Sequence, residues 1–177
     1  YWSNIDRVQK DDGSLQFTFP ADRPPNPSLA AVMDLAGREL AKPYIDENRL
    51  YVTGLSMGGM GTFELLWRMP EKIAAAAPIC GGGAPEKASA MTDIPIWIFH
   101  GMKDDVVPPG FSIRMLKAIQ QRGGLAKITL YPEANHNAWD PALAEPDFLP
   151  WMFSQYKGES FSLLVDSLMS EMTLEEK

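Results

Sequence analysis

From residue 28 onward the sequence alternates helically spaced apolar residues with short strand-like apolar runs, the pattern of a parallel sheet covered by helices. A helix is expected over about 28–42, with Ser28 as its N-cap. Leu29, Val32, Met33, Leu35, Ala36 and Leu40 draw one apolar face, and Pro43 ends it. Buried-type strand runs follow at 49–53, 73–80, 94–99 and 127–131, with helical stretches at 60–68, 110–122 and 141–156. Parallel neighbours need crossovers, so the segment between 80 and 94, with Gly81-Gly82-Gly83, is expected to cross a sheet face as a loop and short helix. Residues 1–27 read as mostly irregular. They carry a turn signal at Asp11-Asp12-Gly13, a Leu15, Phe17, Phe19 alternation and the breaker cluster Pro24-Pro25-Asn26-Pro27.

Charge and cysteine content narrow the function classes. A net charge of −7, spread without long like-charge runs, leaves no electrostatic footprint for nucleic acid or an anionic membrane and points to a small or neutral partner molecule. Cys80 is the single cysteine and has no internal disulfide partner. With only two separated histidines beside it, the sequence shows no metal set, and no cofactor is expected. No apolar stretch approaches the roughly 20 residues a membrane-spanning helix needs. No leader is seen, but the chain opens on Tyr1-Trp2, so that observation says nothing about the parent protein.

Gly54-Leu55-Ser56-Met57-Gly58 lies between an expected strand and an expected helix, the context in which a Gly-x-Ser-x-Gly match reads as a nucleophile elbow. A side chain at the tip of such a turn is exposed only if the backbones around it pack closely, so Gly54 and Gly58 are both expected to need the absence of a Cβ. Ser56 would then sit at a helix N-terminus, where the Met57 N–H faces a developing oxyanion. The competing reading is a purely structural glycine turn.

A base and an orienting acid decide between them. His100 ends a strand, where a structural role is expected; His136 lies in the polar loop Glu133-Ala134-Asn135-His136-Asn137, where scaffold-held loops place reactive groups. The loop after the third main strand offers two carboxylates, Asp104 and Asp105, and either would orient an imidazole. The resulting chain order, serine, aspartate, histidine, is that of α/β-hydrolases and differs from the two common serine protease orders.

The segment His100-Gly-Met-Lys-Asp104-Asp-Val-Val-Pro108 resembles the His-Gly-x-x-Asp-x-Val-Val-Pro segment of α/β-hydrolase serine carboxylesterases, and that resemblance selects Asp104 over Asp105. Tyr44-Ile45-Asp46, Arg49 through Gly59 and Pro78-Ile-Cys-Gly-Gly-Gly83 are similar to bacterial esterases grouped with predicted peptidases, phospholipases and feruloyl esterases. Asn135-His136-Asn137-Ala138-Trp139-Asp140 resembles their Gly-His-Asn-x-Trp-Asp loop, with Asn135 in place of the glycine. The resemblance covers about 28–156 and corresponds to the C-terminal half of such an enzyme. It implies an α/β-hydrolase-like domain over 28–157 that lacks the N-terminal strands, so the elbow strand is expected at an exposed sheet edge and the second oxyanion donor is unassigned.

A linker and a tail at 158–177 complete the expected organisation. Val165 through Lys177 resembles the opening of family 3 glycoside hydrolases, which implies a fused glycosidase and a plant cell-wall polysaccharide context, and hence an extracellular or periplasmic setting. The expected function is a serine carboxylester hydrolase releasing feruloyl or acetyl groups. Ser56 is the expected nucleophile, His136 the base, Asp104 the acid and Met57 the oxyanion donor, while Trp139 is expected to line the acyl pocket. A peptidase of the same fold, or a noncatalytic module that binds carbohydrate or docks on a glycosidase, is the alternative.

Overall fold

The computed structural model describes residues 3–11, 13 and 15–157. The glycosidase-like tail expected at 158–177 lies outside them. Four parallel strands form the central sheet in the order β3 (Leu50–Leu55), β4 (Ile73–Ile79), β5 (Ile96–Gly101), β6 (Ala126–Tyr131). Their boundaries lie within three residues of the runs read from the sequence. As the resemblance implies, β3 is an edge strand of this sheet.

Alternation along the strands divides two cores. Ile96 and Ile98 of β5 point to one face, against Leu29 of helix α1 (Pro27–Leu40), Phe63 and Leu66 of α2 (Met57–Arg68), and Met115 and Ile119 of α3 (Gly110–Gln120). Trp97 and Phe99 point to the other, against Phe148 and Met152 of α5 (Phe148–Phe153) and Ala142 of α4 (Trp139–Leu143). Strands covered on both faces carry continuous apolar runs, and every residue of β4 and β5 is buried. The crossover between them is a 3-10 run, Pro85–Met91, whose Ala88 and Met91 seal the first core.

Two expectations are corrected and a third is refined. The N-cap of α1 is Asn26, whose Oδ1 accepts from the Leu29 N–H at 2.9 Å, with Pro27 in the first turn; Ser28 is already inside the helix. The single helix expected over 141–156 is two short ones, interrupted around Pro146, which has no N–H to donate and restricts the residue before it. The described part of residues 1–27 is mostly irregular, but within it β1 (Asp6–Gln9) and β2 (Leu15–Thr18) form an antiparallel hairpin, not foreseen from the sequence, that pairs Arg7 with Phe17.

Candidate active site

Ser56 stands between β3 and α2 with φ 55° and ψ −117°, a left-handed conformation that costs a non-glycine residue on the order of 1–3 kcal/mol. Two close backbone approaches hold it there. A Cβ on Gly54 would lie 2.5 Å from the carbonyl carbon and oxygen of Gly58, and one on Gly59 would lie 2.5 Å from the Ile79 carbonyl oxygen. A Cβ on Gly58 would enter open space, so the second glycine that must lack one is Gly59, not Gly58. The Ser56 N–H is tied to Ile79 O at 2.9 Å, and the first bond of α2 runs from Met60 N to Ser56 O. The N–H groups of Met57 to Gly59 therefore lack partners within the helix, and that of Met57 is the one next to the serine.

His136 and Asp104 arrive from the loops after β6 and β5. His136 Nε2 lies 2.9 Å from Ser56 Oγ, and His136 Nδ1 lies 2.8 Å from Asp104 Oδ2. Because Nδ1 faces an acceptor, it carries the ring proton, and Nε2 accepts from the serine hydroxyl. The Asp104 side chain is fully enclosed, while that of His136 is 21% exposed, so the serine end of the chain is the open end. Asp104 Oδ1 accepts from the Val106 and Val107 N–H groups at 3.0 and 2.8 Å, which fixes the carboxylate plane. Asp105 is exposed, and its side chain takes no part in this set.

His100 is buried behind Asp104. Its Nε2 lies 2.8 Å from Val107 O and 3.3 Å from Asp104 Oδ2, and its Nδ1 lies 2.7 Å from Ser112 Oγ. Burial depresses its pKa below the ordinary histidine value, against the opposing pull of the Val107 carbonyl and Asp104. Donor atoms of Cys80, His100 and Asp104 come within 4.8 Å of one another. However, burial, reinforced by the Asp104 charge, pushes the Cys80 thiol up to about 12, and the polar atoms of the other two are already hydrogen-bonded. The grouping is a protonated thiol beside an occupied network.

Two contributors were not legible in the sequence. Asn135 Oδ1 accepts from the N–H of His136 at 2.7 Å and of Asp105 at 3.2 Å, so it joins the base loop to the acid loop. A Cβ on Gly101 would collide with the carbonyl oxygens of Ala134 and Asn135, and only glycine lets the base loop cross there. Trp139 packs edge-on against the His136 ring, with centroids 5.5 Å apart and planes at 84°. The cavity of about 410 Å³ in front of Ser56 is lined instead by Met57, Met60, Val106, Val107 and hairpin residues that include Arg7 and Phe17.

A parallel sheet with a strained serine at a strand-to-helix elbow, hydrogen-bonded to a loop histidine and a buried aspartate, is the arrangement of the α/β-hydrolase class. Residues 27–142 match the model of the dienelactone hydrolase family, and the chain belongs to that family. A solved thermostable esterase is 35% identical, with a TM-score of 0.72 over 80% of this chain and 43% of its own. A bifunctional acetylxylan esterase/xylanase of Neocallimastix patriciarum is 40% identical over 70 residues, 39% of this chain and 10% of that protein. An acylaminoacyl peptidase of Pyrococcus horikoshii is similar in fold alone, at 14% identity and a TM-score of 0.62 over 75% of this chain and 28% of its own. The chain thus spans less than half the length of each of these proteins.

Proposed function

We propose that the protein is a serine carboxylester hydrolase that releases acyl groups, feruloyl or acetyl, from plant cell-wall polysaccharide. One observation carries the reading: a continuous hydrogen-bonded path from Ser56 Oγ through His136 to Asp104, at 2.9 and 2.8 Å, that opens on a cavity. Ser56 Oγ attacks the ester carbonyl carbon as its proton passes to His136 Nε2, and Asp104 stabilises the imidazolium. The Met57 N–H donates to the oxyanion. Collapse of the tetrahedral adduct expels the alcohol, which takes the proton from His136. Water, deprotonated by the same nitrogen, then releases the acid and restores Ser56.

The similarity to a thermostable esterase at 35% identity and to a segment of an acetylxylan esterase/xylanase supports an ester over an amide substrate. A glycosidase linked to the domain would hold the same polymer. The test is intact-mass labelling with a fluorophosphonate, followed by turnover of feruloyl and acetyl esters. Stoichiometric adduct on Ser56 and a loss of at least about 10⁴-fold in kcat for Ser56→Ala are expected. A folded protein that takes no label, or turnover that survives Ser56→Ala, would refute the mechanism.

A further inference from the structure

The hairpin that the sequence conceals reaches the cavity. Of the nine residues lining it, Ile5, Asp6, Arg7 and Phe17 come from the N-terminal segment, and they face Ser56, Met57 and Met60 of the elbow and Val106 and Val107 of the acid loop. Arg7 and Phe17 are directly paired across the hairpin, so their side chains share one of its faces, and both line the cavity. An isolated two-stranded hairpin is marginal in water, so something must hold this one.

A clasp on α2 does so. The buried Glu64 carboxylate accepts from Ser3 Oγ at 2.6 Å, from the Asn4 N–H at 2.6 Å and from Asn4 Nδ2 at 3.1 Å. Arg68, one helical turn on, donates to Glu64 at 2.8 Å and to the carbonyl of Arg23 at 2.7 Å. Arg23 in turn forms a two-pronged pair with Asp6 of β1, both contacts at 2.8 Å. On the opposite strand, Phe17 meets Phe111 edge-on at 5.8 Å. The entry and exit of the hairpin are thereby fixed to the helix that begins at the nucleophile. None of these residues touches Ser56 through a hydrogen bond.

We propose that this hairpin is the acyl-selecting wall of the site, with Phe17 as the specificity residue and Glu64 as its positioning residue, and that it favours a bulky, ring-bearing acyl group over acetyl. The proposal rests on the ester-hydrolase reading and deepens it. A cavity of about 410 Å³ falls within the roughly 300–1,000 Å³ of small-molecule sites and is far larger than an acetyl group fills. The apolar part of its lining suits a ring: Phe17 is aromatic, and Met57 and Met60 are residues whose polarisable sulfurs pack well on aromatic groups. An acetyl group would leave most of that surface wet, whereas a ring-bearing chain removes it from water.

Two measurements on the full chain test this, one of them independent of turnover. Binding of methyl cinnamate to Ser56→Ala is followed by calorimetry, alone and with Phe17→Ala or Glu64→Gln added; circular dichroism checks each fold. Turnover of methyl cinnamate and methyl acetate is compared in the same variants carrying Ser56. Each substitution is expected to weaken cinnamate binding about tenfold, or 1.4 kcal/mol. The cinnamate-to-acetate ratio of kcat/KM should fall by a similar factor, carried mainly by KM. Absent binding to Ser56→Ala, or binding that neither substitution alters, overturns the proposal even if esters are cleaved. Phe17-dependent binding in a protein that turns over neither ester supports the pocket and removes the ester-hydrolase reading instead.

Discussion

At the residue scale, the serine motif separates into a glycine that packs and one that does not. Gly59 has the Ile79 carbonyl oxygen 2.5 Å from where its Cβ would be, whereas Gly58 has nothing within 4 Å. Gly59→Ala is expected to lower stability by about 1–3 kcal/mol through overpacking against backbone that cannot retreat. Gly58→Ala is expected to be neutral or to gain up to about 1 kcal/mol, because alanine is the better helix former. Urea titrations of the two variants give the comparison, and a Gly58→Ala loss as large as that of Gly59→Ala would contradict it. Ser56 was legible from the Gly-x-Ser-x-Gly match between a strand and a helix, and His136 because a two-histidine sequence leaves few candidates for a base. Asp104 was not separable from Asp105 by spacing; the family resemblance chose it, and the His136 contact at 2.8 Å agrees. Asn135 was visible only as a departure from a glycine, because a side chain that bridges two loops has no signature until both loops are in place.

At the scale of elements, long periodic segments were legible and short ones were not. The four main strands and three main helices carry enough apolar residues to show a period. The hairpin does not: its strands are four residues each, and Val8, an apolar residue of β1, is 56% exposed. Its order comes from Glu64 and Phe111, 60 and 94 residues away from Asn4 and Phe17, a coupling no local window contains. The start of α1 was misplaced by two residues because both Asn26 and Ser28 are good caps, and the choice depends on which oxygen meets a free N–H. Asn26→Ala is therefore expected to cost about 1 kcal/mol and Ser28→Ala less than about 0.5 kcal/mol, read from thermal or urea unfolding. Equal losses would mean that the helix frays back to Ser28 in solution.

Across the whole molecule, the carboxyl ends of β4 and β5 are where Cys80 and His100 lie buried beside Asp104. The location sets how folding responds to pH at both ends of the range. His100, with its pKa lowered by burial from 6.5, binds a proton more readily in the unfolded chain, so its contribution is complete above about pH 6.5 and is lost as pH falls below it. Cys80 behaves in the opposite sense. The unfolded thiol ionises near 9.0, while the folded one holds its proton to about 12, so the unfolded state sheds the proton first and stability falls as pH rises through that window. Tyr131, raised from 10.0 to about 12 mainly by burial, joins from pH 10 upward. From pH 9 the cysteine contributes a limiting slope of about 1.4 kcal/mol per pH unit for one proton, and Lys127, whose pKa burial lowers from 10.5, contributes in the opposite sense as pH approaches 10.5. Unfolding free energies at half-unit steps from pH 6 to 11 should be flat between about 7 and 8.5 and should decline beyond 9. Cys80→Ala should be less stable at pH 8, because it leaves a cavity, yet should show a shallower decline between 9 and 10. An identical alkaline slope in wild type and Cys80→Ala would mean that the thiol titrates normally, and that the carboxyl ends of the central strands admit water.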